Sequence, residues 1–151
     1  MSSTLHWTKK KFNELSVSEL YTILQLRAEV FVVEQNCPYL DTDNKDQYCH
    51  HLMGWVDDKL VAYTRLVPPG VSYDEYPSIG RVVTSPAARR SGFGKMLMEK
   101  SIEETISLYG KTPIRIGAQL YLKNFYSSLG FITSSEVYLE DGIEHIEMTK
   151  A

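Results

Sequence analysis

Cysteine is scarce in this chain: Cys37 and Cys49 are the two in 151 residues. They form no Cys-x-x-Cys pair, and two of them make no disulfide framework, so reduced thiols are expected. Cys49-His50-His51 crowds metal-ligand types together, but adjacent ligands rarely converge on one ion. No Cys/His pair at finger spacing completes a set, and no metal is expected. Long apolar runs are missing too; nothing approaches the roughly 18 residues of a membrane span. The polar start, with Lys9-Lys10-Lys11, lacks the apolar core of a signal peptide, which makes the cytoplasm the expected compartment. A net charge of −3 gives no basic field, so neither nucleic acid nor a membrane surface is an expected partner. What remains is ordinary for a globular core, with 43% hydrophobic and 23% charged residues. The length suits one domain over residues 1–151.

The pattern along the chain mixes strands and helices. Leu5-His6-Trp7 reads as a first strand. Ser16-Val17-Ser18-Glu19 is a capping box, with Leu15 and Leu20 placed as a hydrophobic staple. The helix it opens carries Leu20, Ile23, Leu24, Ala28 and Phe31 on one side. A loop is expected over 36–46, and strands over 51–56 and 60–67 flank a turn at Asp57-Asp58-Lys59. Ser78 to Thr84 is strand-like, and a helix follows from Gly92 to about Leu108, with Gly110 as its stop. Further strands are expected at 114–118, 131–138 and 145–149, with a short helix from Tyr121 to Leu129. The sum is an α/β domain of one sheet with helices on it.

Between the strand at 78–84 and the helix that follows lies Arg89-Arg90-Ser91-Gly92-Phe93-Gly94-Lys95. Glycines at a helix mouth admit a ligand close to the backbone, and the free N–H groups there favour phosphate. Arg89, Arg90 and Lys95 add positive charge, and Ser91 can serve as N-cap. Gly-Lys-Ser/Thr is absent and no third glycine follows, which removes the Walker and Rossmann readings. Arg89-x-x-Gly92-x-Gly94 resembles the pyrophosphate loop of the GNAT N-acetyltransferases. Downstream, Phe125-Tyr126-Ser127-Ser128-Leu129-Gly130-Phe131 resembles a second family block. Phe31 to Tyr39, His51 to Trp55 and Glu140 to Ile146 are similar to the ElaA branch, extending the resemblance from about Leu15 to Met148. Gln119 stands where many members carry Asn, and Leu122 where they often carry Ala.

The resemblance implies a GNAT-like mixed, mostly antiparallel twisted sheet with helices on both faces, whose middle strands splay apart. It implies acetyl-CoA as co-substrate and direct transfer of the acetyl group to a primary amine. A non-catalytic acyl-CoA-binding or regulatory domain is the alternative, and an interaction module a third. On the family pattern Arg89 to Lys95 (Arg89, Arg90, Ser91, Gly92, Phe93, Gly94, Lys95) would hold the pyrophosphate. Val82, Val83 and Thr84 would pair with the pantetheine arm, and Asn124 would reach the donor. Tyr126 would protonate the leaving thiolate, as a neutral phenol can. For the acceptor's proton, Glu34 and His51 are expected to share one cleft, with His145 a further candidate and a water chain another route. Asp41, Asp43 and Asp46 would attract a cationic acceptor or simply lie in solvent. The acceptor's identity, acyl length and oligomeric state stay open, a homodimer included.

Overall fold

The computed structural model describes residues 5–89 and 92–151. One antiparallel sheet runs β1 (His6–Lys11), β2 (His50–Val56), β3 (Lys59–Val67), β4 (Ser78–Thr84), in that order. In the second, β5 (Ile114–Gln119) pairs with β8 (Ile143–Lys150), whose other edge takes β6 (Ile132–Thr133) and β7 (Tyr138–Glu140). Among the described residues three α-helices accompany them: α1 (Val17–Arg27), α2 (Phe93–Tyr109) and α3 (Lys123–Ser128).

β1 extends through the lysine run, pairing from His6↔Trp55 to Lys11↔His50. Successive strand residues point to opposite faces, and here the charges show it. Lys9 reaches Glu104 of α2 at 3.1 Å, whereas Lys10 reaches Glu19 of α1 at 2.9 Å. The two helices therefore cover opposite faces of the first sheet. Met53, Tyr63 and Val83 pack with Ile23, Leu26 and Val30 on one side; Leu52 and Ala62 pack with Leu97 on the other. Strands covered on both faces read as unbroken buried runs, as β3 does from Leu60 to Val67. In the second sheet Ile114, Ile116, Ala118, Ile146 and Met148 form a core with Met98, Tyr126 and Phe131.

α1 opens on the expected capping box: Glu19 N–H donates to Ser16 Oγ at 3.0 Å, and Ser16 N–H donates to Glu19 Oε1 at 2.8 Å. Past Arg27 the helix widens into π-type turns over Ala28–Glu34, with Gln35 N–H donating to Val30 O and Cys37 N–H to Val32 O. The β2–β3 hairpin turns on Asp57 and Asp58, at φ 49° and 66°, so Lys59 opens β3 instead of belonging to the turn. β7 and β8 turn likewise on Asp141 and Gly142, at φ 51° and 77°. The strand expected over 131–138 is interrupted, because the Ser135 hydroxyl accepts the Glu147 N–H in place of a ladder bond.

Candidate active site

β4 and β5 start side by side, joined by Arg115 N–H donating to Pro77 O at 3.1 Å, and belong to separate sheets beyond that point. An open cavity of about 1230 Å³ lies between them. β4 is the end strand of its sheet and carries a bulge: Tyr63↔Val83 and Arg65↔Gly80 are paired, so β4 has one residue more than β3 between them. Arg81, at φ 51°, takes up that extra residue. Past it, Val82, Val83 and Thr84 line one wall.

At one end of the cavity sits the mouth of α2. Gly92, at φ 76°, is the N-cap; the expected N-cap Ser91, and Arg90 beside it, lie outside the described residues. Arg89 and Gly94 line the cavity, and a Cβ built on Gly94 would meet no protein atom within 4 Å. Gly92 and Lys95 are exposed beside the cavity without lining it, and the Phe93 side chain packs on the Leu52–Leu97 core. Asn124 is exposed on α3 and is likewise not among the lining residues.

Tyr126 lines the cavity from α3. It is 5% exposed, packed edge-on against Phe125 and Phe131, and burial pushes its phenol above the usual range. Glu34 and His51 are not brought together. Glu34, at the end of the widened turns, faces the cavity but is engaged by Arg89, whose Nη1 and Nη2 donate to the two carboxylate oxygens at 2.7 and 2.5 Å. That hydrogen-bonded guanidinium holds the Glu34 carboxyl below its ordinary range, which weakens it as a base. His51 does not line the cavity. It is fully buried on β2, with Nε2–H donating to Asp46 O at 2.9 Å and Nδ1 accepting from the Tyr63 hydroxyl at 2.6 Å. Burial also lowers its pKa. With both ring nitrogens taken, His51 braces the loop that follows α1 and has no free lone pair for an acceptor.

The acidic loop is neither solvated nor free to draw in a cation. Buried Arg27 donates to Asp41 at 2.8 Å and to Asp46 at 2.7 Å; Arg65 donates to Asp43 at 2.6 Å and to Asp46 at 3.0 Å. Arg81 closes the set on Asp41 at 2.8 Å. Three arginines on α1, β3 and β4 thus pin residues 41–46, which form part of the cavity wall. The charge pattern of the loop was visible in sequence; its partners, 14 to 40 residues away, were not.

The opposite wall comes from the second sheet by alternation. Ile114, Ile116, Ala118, Ile146 and Met148 fill the core, Ile116 also reaching the cavity, and the odd-numbered Gly117, Gln119, Ile143, His145 and Glu147 face the cavity with Tyr138 and Glu140 of β7. Gly117 makes room for two tyrosines, since a Cβ there would lie 2.9 Å from Tyr138 Oη and 3.5 Å from Tyr73 Oη. Gln119 and Gln35 bridge the walls through their amides at 3.4 Å. Reading the period of two through 143–147 would have found this wall; Tyr73 and Gln35 carried no such signal. Among the described residues no group of three His, Cys, Asp or Glu side chains is arranged to hold a metal. No helix there is long and apolar enough to cross a membrane.

Comparison with known proteins agrees with this architecture. Residues 18–151 match the model of the acetyltransferase (GNAT) domain. The chain is 46% identical over 148 residues to Protein ElaA of Escherichia coli K12, spanning 97% of this chain and 96% of that one. It resembles the crystal structure of an acyl-CoA N-acyltransferase from Pseudomonas aeruginosa with a TM-score of 0.93 and 47% identity, over 98% of this chain and all of the other. The crystal structure of Escherichia coli ElaA gives a TM-score of 0.91 and 45% identity at the same coverage.

Proposed function

The chain belongs to the GNAT acetyltransferase family, and from that premise we propose that it is a single-domain enzyme transferring an acetyl group from acetyl-CoA directly to a primary amine. One observation carries the reading: a single cavity joins the open space over Gly94, the free edge of β4 at Val82–Thr84, and the Tyr126 side chain. Acyl transfer needs an anchored donor, a stabilised oxyanion and a proton for the departing sulfur, and those three features answer the needs in turn. The α2 mouth and Arg89 would hold the pyrophosphate, the β4 edge would pair with the pantetheine arm and offer an N–H near Val83 to the thioester carbonyl, and Tyr126 would face the sulfur. Direct transfer is favoured over a thiol-bound intermediate because Cys37, which lines the cavity, is 7% exposed and donates its S–H to Asp141 O.

Thiol release from acetyl-CoA, followed across a panel of primary amines, tests the activity. Calorimetric binding of CoA without amine-dependent thiol release would return the chain to the non-catalytic class.

Two substitutions probe the donor end. Gly94 lies in the first turn of α2 over open space, so Gly94→Val should leave a folded protein in which the branched side chain occupies the ligand's room. CoA affinity measured by calorimetry should fall at least about tenfold, roughly the 1.4 kcal/mol of one obstructed contact. Equal affinities would remove the helix mouth from the donor site. Glu34→Gln should do the reverse. In the free protein Glu34 competes with phosphate for the Arg89 guanidinium, and removing its charge should tighten CoA binding a few-fold, most visibly at low salt.

A further inference from the structure

Deprotonation of the acceptor is unassigned once His51 is sealed and Glu34 is paired with Arg89. We propose that His145, on the second-sheet wall of the cavity, is the base that takes the acceptor's proton. The inference rests on the acyl-transfer reading above and adds to it a residue and a state of the substrate, an amine that arrives as its ammonium ion.

His145 faces the cavity from β8 and is 7% exposed. Its Nδ1 lies 2.7 Å from Ile143 O, and a carbonyl only accepts, so Nδ1 carries the hydrogen. The tautomer that results leaves the lone pair on Nε2. That nitrogen is 3.5 Å from Glu140 Oε2. The Tyr138 ring stacks on the imidazole with centroids 5.8 Å apart, fixing its plane. Contrast with His51 is direct: there a carbonyl and a phenol occupy both nitrogens, here a carbonyl occupies one and orients the other.

The surroundings suit a cation. Glu140 on β7, Asp141 in the hairpin turn and Glu147 on β8 line the cavity on this side, with the hydroxyls of Tyr73 and Tyr138 above Gly117 and the Gln119 amide across the ladder from His145. Neighbouring carboxylates and burial hold both tyrosines in their neutral form, burial being the larger effect. Such a wall stabilises an ammonium ion, and an ammonium ion has no lone pair with which to attack. A base at this wall is therefore required by the same charges that attract the acceptor.

The step balances as follows. R–NH3+ gives one proton to His145 Nε2, and the freed lone pair forms the C–N bond to the thioester carbon as the carbonyl pair moves to oxygen. The C–S bond then breaks with its electron pair on sulfur, which receives the second nitrogen-borne proton through the Tyr126 hydroxyl. His145 releases its proton to water, leaving amide, thiol and one proton.

The test compares wild type with His145→Gln, using acetyl-CoA and whichever amine of the panel gives the highest kcat/KM. The variant should lose about 10²-fold in kcat/KM near neutral pH. Its deficit should shrink by about tenfold per pH unit toward the amine's own pKa, near 10, because solvent then supplies the neutral amine. CoA affinity should be unchanged. A merely structural role would give a deficit independent of pH, and that result, or a wild-type rate at neutral pH, overturns the proposal. Should His145→Gln not fold, Glu140→Gln replaces it: the exposed carboxylate is removed, and a pH profile superimposable on wild type counts against the proposal. Imidazole 15N shifts of the ligand-free protein read the tautomer without any acceptor; hydrogen on Nε2 in place of Nδ1 also overturns it. A wild type that binds CoA and acetylates no amine removes the acyl-transfer reading itself, a failure separate from either His145 result.

Discussion

Tyr126→Phe is expected to lower kcat by about 10²–10⁴-fold where chemistry limits the rate, with CoA affinity little changed. The ring stays, so its edge-on contacts with Phe125 and Phe131, at centroid distances of 5.2 and 6.1 Å, stay with it. Only the donor leaves. Burial pushes the Tyr126 phenol above its usual range, which keeps it neutral throughout the working pH and also makes it a weaker acid than a free thiol near 8.5. It therefore cannot simply surrender a proton to a finished thiolate. It donates a hydrogen bond as charge develops on sulfur, and its proton is replaced from the positively charged nitrogen of the tetrahedral intermediate. Steady-state thiol release together with calorimetric CoA titration measures the two quantities separately. An unchanged rate in a folded variant would leave Tyr126 as a packing residue of the second-sheet core.

Local signals in this chain were legible where the physics is local. The Ser16–Glu19 box, the Gly110 stop and the strands β2 and β3 are each settled within a few residues, and the structure places them within one residue of the expected bounds. At the expected donor end a strand, a glycine pair and a helix in succession define a mouth, and the structure puts Val82, Val83, Thr84, Arg89 and Gly94 on the cavity wall while Phe93, Lys95 and Asn124 lie off it. The acceptor side failed for the opposite reason. Glu34 and His51 flank the same loop, and nothing in their spacing tells which will meet Arg89 from 55 residues away and which will be sealed beneath Asp46 by Tyr63. An acidic loop reads as solvated in sequence because its three arginines lie on three other elements. Long-range charge pairing, once formed, decides which titratable groups stay free.

That pairing leads to the largest expected effect on stability. Asp46→Asn should destabilise the protein by about 3–5 kcal/mol, the range for removing one partner of a buried ion pair. Asp46 is 5% exposed and accepts from Arg27 at 2.7 Å and Arg65 at 3.0 Å, so the neutral amide leaves two buried guanidinium groups short of an anion. Burial acts to raise the Asp46 pKa, but the hydrogen bonds and charges of the two arginines prevail and hold it below the ordinary value. A carboxyl with a depressed folded pKa adds stability that is complete above its unfolded pKa of about 3.9 and is lost as pH falls through the folded one. The gap between wild type and Asp46→Asn should thus be constant from pH 5 to 8 and close below about pH 4. His51 adds an earlier slope. Its pKa is lowered by burial, so below about 6.5 the unfolded chain binds a proton that the folded one refuses, and wild-type stability declines from there downward. Denaturant unfolding at a series of pH values reads both effects. A gap below about 1 kcal/mol at pH 7, the scale of a surface pair, would show that the Arg–Asp cluster does not hold the cavity wall in place.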